Sequence, residues 1–586
     1  LSVGTFSQTF LATWRQSQTD QAALAIGAPV RVPADGSLGA AELPLLAKGA
    51  RGVPQPVIRR LGAIAPAGSD AYADPESGLS DGSAAAILGL TAGDRSLISR
   101  GRLGTEGGTK IATLLGASPS PAKGLLLPSD AAGVGATVLA GDAGVALPNT
   151  TVGVSALLQD PRGMISTLEL GSVAADGQPH QLEGVLRAAV KGAGFDHPLR
   201  LVGLQSRVLQ VDGIERAADV PSSGSFAITI QFAGLTALKA AQKGADPALP
   251  LPSVPLKLDD GVSWRVNNPD QYDALPVLTT GPNESPFTIN AVIPSGGSSG
   301  PTQLIISSWI PAASIPAVLS EGLAKQLHVF RGTTLALAVP GAKLAITVAG
   351  IVPLVPGSLS GVQPDSAIND SVGGQPDTVV VDHTALSRVL AQAGVTGPMV
   401  EEWWVDVPAG AGQAYLDKHP TRDAIVPAQS TEVRALQMQQ DPMRVSAQAA
   451  LWLAILGAAL LAAAGFAVHT SASLRSRRTE LAQLRAIGLS RRMLVGLIGA
   501  ESLLVCALAT VFGVGLGIVL GLLVAPLIAV SPSGAPTLPS VLVTIPWAGI
   551  GLLVVIVLAI LAAVVLAVAR AQRSSDPASI LRGADE

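Results

Sequence analysis

Candidate catalytic patterns in the chain lack the surroundings that their chemistry needs. Residues 78–82 read GLSDG and match G-x-S-x-G, the pattern around an activated serine nucleophile. Such a serine needs a buried strand before it and a helix after it, but residues 69–77 read SDAYADPES, which is typical of a loop. Asp382–His383 stands alone among six scattered histidines, so we expect a surface or loop pair there. The sequence therefore predicts no catalytic, cofactor-binding or metal-binding residue.

Composition excludes several classes of function. Of the 586 residues, 14% are charged and 48% are hydrophobic, and the net charge of -4 gives no basis for nucleic-acid binding. The pattern G-x-x-x-x-G-K-[ST] does not occur, so the chain does not hydrolyse ATP through a P-loop, and an ATPase would have to be a separate protein. The only cysteine is Cys506, which excludes a disulfide within the chain.

The elements that organise the chain are three apolar runs and one basic segment. Residues 475–492, RSRRTELAQLRAIGLSRR, contain six arginines and lie between apolar runs at residues 447–468 and 493–530. A third apolar run follows at residues 547–569. Each run is long enough for a membrane-spanning helix, which takes about 20 residues. Short arginine-rich loops between such helices stay in the cytoplasm, so this segment predicts the orientation of the chain.

The predicted topology is that of a multi-pass cell-membrane protein with a large extracytoplasmic domain at residues 17–445. Residues 1–16 are expected to be the end of a first transmembrane helix that is truncated before Leu1; the alternative is a short amphipathic helix of a soluble domain. The remaining segments are transmembrane helices at 446–470, 493–530 and 546–570, a cytoplasmic helix at 471–492, an outer loop at 531–545 and a cytoplasmic tail at 571–586.

Glu501 is the only carboxylate within the apolar runs. An ionised side chain inside a membrane costs on the order of 2–3 kcal/mol, so we expect Glu501 to have a partner or a function. His469 and Arg475, at the inner end of the preceding run, are the candidate partners. A polar contact between helices is the simpler interpretation, because a proton relay would need a chain of acids.

Three glycines in the second apolar run share one helix face. Gly513, Gly517 and Gly521 follow each other at four-residue spacing. Small residues at this spacing let two helices approach closely in lipid, which favours a contact within the bundle or between two copies. The alternative is that glycine is simply common in membrane helices.

The basic segment itself is predicted to be helical. Leu481, Leu484 and Ile487 recur every three residues and would form an apolar stripe on a helix. An amphipathic helix beneath the membrane can be held in the groove of a partner protein. The alternative is a charged loop that binds anionic lipid headgroups.

The same segment resembles a known family. Residues 477–504, RRTELAQLRAIGLSRRMLVGLIGAESLL, resemble the segment between the second and third membrane helices of FtsX-like/MacB-type permeases, the membrane subunits of a class of ABC transporters. Residues 576–583, DPASILRG, are similar to the end of those permeases. Residues 319–357 resemble the last part of their extracytoplasmic domain, with a helix at 320–327 and a hairpin of strands 333–339 and 343–352.

The resemblance implies a cytoplasmic ABC ATPase subunit as a partner and a homo- or heterodimer of permease units in membrane lipid. The residues that it implies for ATPase coupling are Arg478, Glu480, Leu484, Arg485, Gly488 and Arg491. The family has four membrane helices with the outer domain after the first, so this chain would be a truncated permease or the C-terminal unit of a larger one. Its outer region is about twice the usual size, which implies an insertion.

The fold class predicted for the whole chain is an α-helical transmembrane bundle, three complete helices plus the end of a first, with a large mixed α/β and β-rich outer domain. A β-sandwich insertion is expected at about residues 145–235 and a MacB-like part at about 270–440. Trp403 and Trp404 lie in a strand-like run, and we expect one in the core and the other exposed. The strands predicted for the insertion are 151–159, 166–171, 181–188, 199–209 and 225–232.

Two functions remain open from the sequence. The first is an ABC permease subunit that couples ATP hydrolysis by a partner to movement of its outer domain, for export or extraction of lipid, lipoprotein or peptide. The second is an FtsX-like regulator that activates a cell-wall hydrolase or a sensor without transport. In either case the outer domain would meet a peptide, lipid or cell-wall partner, whereas a membrane-anchored enzyme has no residues to support it.

Overall fold

The computed structural model of the chain divides into two compact units. The helical unit contains Leu1–Ala22 and Arg434–Glu586, and the sheet-rich unit contains Ala23–Val433. The residues that the structure describes are 1–34, 36, 38–68, 72–73, 80–91, 109–187, 193–210, 224–239, 251–258, 261–269, 275–281, 286–295, 301–358, 377–419, 427–440, 442–476, 491–528 and 539–571.

The chain begins with the long helix α1, continues with strands and short helices as far as β23, and ends with four helices in the described residues. The helices are α1 Ser2–Ile26, α2 Leu43–Leu46, α3 Thr109–Leu115, α4 Glu321–Gln326, α5 His383–Gln392, α6 Gly412–Lys418, α7 Thr431–Gln439, α8 Pro442–Ser476, α9 Arg491–Ile528 and α10 Trp547–Ala571. The strands are β1 Val30–Pro33, β2 Gln55–Pro66, β3 Tyr72–Ala73, β4 Ser80–Asp81, β5 Ser83–Leu90, β6 Leu125–Leu126, β7 Ala131–Gly141, β8 Thr150–Gln159, β9 Ile165–Ala174, β10 Pro179–Val185, β11 Arg200–Gln210, β12 Gly224–Lys239, β13 Ser253–Pro255, β14 Arg265–Asn267, β15 Val277–Thr280, β16 Phe287–Ser295, β17 Thr302–Ser307, β18 Ile315–Ser320, β19 Thr334–Val339, β20 Ala342–Val352, β21 Thr378–Asp382, β22 Glu402–Val405 and β23 Gln429–Ser430.

Six strands of the sheet-rich unit form a closed barrel. Their order is β19-β20-β18-β21-β5-β2, and β2 pairs back onto β19. The ring closes where Ala63 lies opposite Ala338. Gly62 allows the close approach there, because a Cβ at this position would lie 2.4 Å from the carbonyl oxygen of Ala338. The bounds of α4, β19 and β20 each differ by no more than one residue from those of the helix and the hairpin strands that the sequence predicts.

The long strand β2 also carries a second group of strands. Its first residues pair with β22, which pairs with β1, which pairs with β23. In this register Val30 lies opposite Ser430 and Arg31 lies opposite Gln429. The strand that follows α1 and the strand that precedes α7 are therefore direct neighbours in one sheet.

Two further antiparallel sheets lie between α3 and β18 in the chain. One has the order β10-β7-β12-β16-β15 with β13 on β12, and the other has the order β14-β17-β11-β8-β9 with β6 on β11. Ala156 and Leu158 of β8 join the core shared by both sheets, whereas Leu157 joins the core of the barrel. Alternate residues of a strand point to opposite faces, so the second sheet is buried on both faces.

This two-sheet module is wider than the predicted insertion at 145–235. It starts at Leu125 and ends at Ser307, and it includes strands on either side of the predicted range. The reason is pairing: β7 and β16 flank β12, and β17 pairs with β11, so strands distant in sequence complete each sheet. All five predicted strands of the insertion are present, as β8 to β12.

Among the residues that the structure describes, three helices could span a membrane. Their apolar segments are Gln448–Ser473 in α8, Leu503–Leu527 in α9 and Trp547–Val564 in α10, with mean hydropathies of 2.3, 2.6 and 2.8. Most of their leucine and valine side chains are exposed on the isolated chain, as expected for surfaces that face lipid. The prediction of three apolar spans beside a large β-rich domain is confirmed.

Candidate functional site

The basic segment connects α8 with α9. Arg475 lies one residue before the end of α8, and Arg491 opens α9. Arg478, Glu480, Leu484, Arg485 and Gly488 of the predicted coupling set lie outside the described residues. In the chain, the segment thus lies between two helices that are long enough to cross a bilayer.

The glycine face of α9 packs against α1 inside the helical unit. A Cβ added to Gly517 would lie 2.6 Å from Cβ of Thr5, and one added to Gly521 would lie 2.7 Å from Cγ2 of Thr9. A Cβ on Gly513 would lie 3.0 Å from Cβ of Leu1. Real side-chain atoms do not approach so closely, so the glycines allow a helix contact that larger residues would prevent. This geometry is a contact within the bundle.

The facing side of α1 is polar and buried. Thr5 and Thr9 are completely buried, and their hydroxyl oxygens have no hydrogen-bond partner among the described residues. Thr13 and Ser17 continue the row with exposures of 1% and 4%. The four-residue spacing of Thr5, Thr9, Thr13 and Ser17 was the signal in the sequence, and the prediction for residues 1–16 did not use it.

The opposite contact of α1 is with α10 and has a different character. A Cβ on Gly4 would lie 2.7 Å from Cδ2 of Leu553, and the side-chain oxygen of Gln8 lies 3.3 Å from the position of a Cβ on Gly549. Small residues on each helix thus receive a large residue of the other. The order of these pairs shows that α1 runs antiparallel to α10. The order of its contacts with Gly513, Gly517 and Gly521 shows that α1 runs parallel to α9.

Glu501 lies in α9, two residues before the apolar segment Leu503–Leu527. Its side chain is outside the described part of the structure, so its predicted contact with His469 or Arg475 stays a prediction. His469 lies within α8 and is exposed.

Comparison with known families identifies the C-terminal part. Residues 452–575 match the family described as FtsX-like permease C-terminal. The chain carries an FtsX-like permease domain. A search of curated proteins finds no match for the chain. The FtsX-like domain begins within α8, includes the whole basic segment and α9, and extends a few residues beyond the end of α10.

A cluster of buried ionised side chains joins strands β1, β2 and β22 of the sheet-rich unit. Glu402 on β22 accepts hydrogen bonds from Arg59 on β2 at 2.8 Å and from the indole nitrogen of Trp404 at 2.9 Å. Arg31 on β1 lies 3.6 Å from the same carboxylate. Burial alone would raise the pKa of Glu402, but the charge and hydrogen bond of Arg59, the charge of Arg31 and the hydrogen bond from Trp404 together hold that pKa below its ordinary value.

Next to this cluster, Glu401 forms a second pair. It accepts a hydrogen bond from Arg60 at 2.8 Å and another from the backbone nitrogen of Arg59 at 2.8 Å. Burial raises the pKa of Glu401 in spite of Arg60. The two adjacent glutamates therefore tie β22 to β2 and β1 through three arginines, and their role is to fix these strands.

The end of α1 is held by tryptophan packing within the sheet-rich unit. Gly27 has a φ of 86° and follows the last turn of α1, and a Cβ there would lie 2.7 Å from the Trp404 ring. The backbone nitrogen of Gly357 donates to the carbonyl oxygen of Leu24 at 2.7 Å. Trp403 and Trp404 are both buried, so the prediction that one of them is exposed is wrong. Adjacent residues of a strand point to opposite faces of the sheet, and Trp403 and Trp404 pack into two different cores, so both faces of β22 are covered.

The prediction of a surface pair at Asp382–His383 is also wrong. Asp382 ends β21 and caps α5 by accepting from the backbone nitrogen of Ala385 at 2.9 Å. His383 is 1% exposed, and its Nε2 donates to the carbonyl oxygen of Met399 at 2.9 Å. Burial lowers the pKa of His383, so the ring is neutral at physiological pH. The pair is a structural cap at the centre of the unit.

The remaining candidate patterns gain no support from the geometry. Of the G-x-S-x-G stretch, Gly78 and Leu79 lie outside the described residues. In the part of the chain that is described, no three His, Cys, Asp or Glu side chains are placed to hold a metal ion.

Proposed function

We propose that this protein is the permease subunit of an ABC transporter and works with a separate cytoplasmic ATPase. The observation that carries the proposal is the FtsX-like match over residues 452–575, which includes the arginine-rich segment between two potential membrane spans. The ATPase binds this segment through Arg478, Glu480, Leu484, Arg485, Gly488 and Arg491.

Helix direction supports the proposed orientation. Because α1 is parallel to α9 and antiparallel to α10, the end of α1 and residues 539–546 lie at one end of the bundle and Arg491 at the other. The backbone nitrogen of Thr544 donates to Oγ1 of Thr13 at 3.0 Å, which agrees with this arrangement. With the basic segment in the cytoplasm, residues 23–433 are extracytoplasmic and the chain is a multi-pass protein of the cell membrane.

The outer domain is the part that meets cargo in this proposal. ATP-driven movement of the membrane helices is passed to residues 23–433, and lipid, lipoprotein or peptide is exported or extracted there. Two permease units, identical or different, form the transporter. The two-sheet module, a β-sandwich in this proposal, provides the surface for the cargo or for a cell-wall partner.

The test is copurification of an ATPase with the full chain from its native membrane in mild detergent. Arg478→Glu combined with Arg485→Glu should reduce the bound ATPase at least tenfold while membrane insertion stays intact, because two contacts with the partner change sign. Arg434→Glu is the matched control, since Arg434 is exposed on α7 at the other side of the membrane in this topology. An ATPase that stays bound to the double variant would contradict the proposal.

A further inference from the structure

The two helix contacts of α1 differ in how firmly they fix its axial position. On the α10 side, Gly4 faces Leu553 and Gln8 faces Gly549, so small and large residues alternate in opposite order on the two helices. A shift by one helical turn would bring Gln8 toward Leu553, two large side chains in a space made for one. A hydrogen bond from the backbone nitrogen of Thr544 to Oγ1 of Thr13 also ties α1 to the segment that precedes α10.

The α9 side has no such alternation. Leu1, Thr5 and Thr9 face Gly513, Gly517 and Gly521 in order. Both rows continue at the same spacing, with Thr13 and Ser17 on α1 and the buried Ala525 on α9. A shift of one turn would therefore replace each pair by an equivalent pair, with Thr5 on Gly513 and Thr9 on Gly517.

Polar contacts do not fix this register either. The hydroxyl oxygens of Thr5 and Thr9 are completely buried against the glycine face and have no hydrogen-bond partner among the described residues. Cβ and Cγ2 atoms make the contact. Buried hydroxyls in a membrane bundle normally fix helix positions through interhelical hydrogen bonds, but these two hydroxyls do not fix the axial position of α9 on α1 in this way.

We propose that α9 has two packing registers on α1, which differ by one helical turn, and that it moves between them while α1 and α10 stay together. In the second register α9 is displaced by four residues, about 6 Å, toward its own C-terminus, and Ser17 lies on Ala525. Packed helices change position in discrete steps because intermediate positions lose their close fit. The proposal rests on the proposed function in one respect, since α9 directly follows the segment that binds the ATPase.

Cysteine cross-linking in membranes of the full chain tests the two registers directly. The native Cys506 is replaced by alanine, and Ala525→Cys is combined with either Thr13→Cys or Ser17→Cys. These positions already carry a Cβ and are not glycines. Disulfides need Cα atoms within about 7 Å, so Thr13→Cys reports the register of the structure and Ser17→Cys reports the second one. The expected result is that oxidation cross-links the Thr13 pair without nucleotide, and that ATP with vanadate raises cross-linking of the Ser17 pair at least fivefold.

The outcomes separate this inference from the proposed function. No cross-linking of the Ser17 pair under any condition, with the Thr13 pair reactive, would overturn the second register, as would a lack of reaction in both pairs. Equal cross-linking of the Ser17 pair with and without nucleotide would support two registers but reject control by an ATPase. Thr13→Cys with Gly515→Cys is the negative control, because Gly515 faces open space on another side of α9.

Discussion

Asp160 is a buried carboxyl group at which desolvation and hydrogen bonding have opposite effects on the pKa. It lies in the turn between β8 and β9, and its Oδ1 accepts from the backbone nitrogens of Arg162 at 3.0 Å and Met164 at 2.9 Å. Burial raises the pKa of Asp160 to about 6, although these two hydrogen bonds act against it. The folded protein therefore binds this proton more tightly than the unfolded chain does.

This residue predicts a pH dependence of local stability. Because the folded pKa is raised, the free energy of unfolding falls as pH rises from about 4 to about 6 and is level above that range. Asp160→Asn keeps the acceptor oxygen without the charge, so we expect it to stabilise the β8–β9 turn at pH 7.5 by on the order of 2–3 kcal/mol. Hydrogen exchange of peptides covering residues 157–168 in the full chain measures the effect.

The control for Asp160→Asn is Asp196→Asn. Asp196 pairs with Arg162 at 3.3 Å, but both side chains are more than 40% exposed, so exchange in the turn should hardly change. Faster exchange in Asp160→Asn at pH 7.5 would show that the turn needs the ionised carboxylate and would contradict a raised pKa.

At the scale of elements, the buried ions determine how β1, β2 and β22 stay together. Arg59 donates to the carbonyl oxygen of Gly357 at 2.6 Å as well as to Glu402. The same guanidinium thus connects the loop after β20 to β22 and stands beside the end of α1. Removing one partner would leave the other charge poorly compensated, because the side chains of Arg59 and Glu402 are only 7% and 10% exposed.

We expect Arg59→Met to lower the free energy of unfolding by roughly 3–5 kcal/mol, since Glu402 would lose its closest partner while still buried. Adding Glu402→Gln should recover part of the loss. Lys325→Met is the matched control: its pair with Glu321 at 2.7 Å is exposed and should contribute less than about 1 kcal/mol. Denaturant unfolding of the detergent-purified chain, followed by tryptophan fluorescence, gives the three values. Equal losses for Arg59→Met and Lys325→Met would show that the buried cluster is not needed.

For the whole molecule, orientation in the membrane is the property from which the proposed function follows. In the proposed topology, the positive-inside rule predicts that Ser490 lies in the cytoplasm and that Ser533, in the uncharged linker before α10, lies outside. Ser263, an exposed residue of the two-sheet module, should also be outside.

Single cysteines in a chain with Cys506→Ala test this orientation. A membrane-impermeant thiol reagent on intact cells should label Ser533→Cys and Ser263→Cys. Ser490→Cys should react only after the membrane is permeabilised, because the reagent cannot reach the cytoplasm. Labelling of Ser490→Cys on intact cells would reverse the topology and remove the ATPase contact from the proposal.

The sequence alone predicted those helices and strands whose stability depends mainly on their own residues. Three helices were predictable, because about 20 apolar residues satisfy a bilayer regardless of what surrounds them. The strands β8 to β12 were predictable from alternation and turn residues, and the helix and hairpin at residues 320–352 from the resemblance. The identity of the C-terminal domain followed from the arginine-rich segment, whose residues are contiguous, and the match over residues 452–575 agrees with it.

Only the tertiary structure decided which of these elements meet. Closure of the barrel between β2 and β19, and completion of the two-sheet module by β7, β16 and β17, depend on pairing between residues far apart in the chain. The same holds for burial: Trp403, Trp404 and His383 are hidden by neighbours that no local pattern names. Gly517 signals a close contact in the sequence, but its partner Thr5 is about five hundred residues away, because packing in three dimensions selects it and sequence spacing does not.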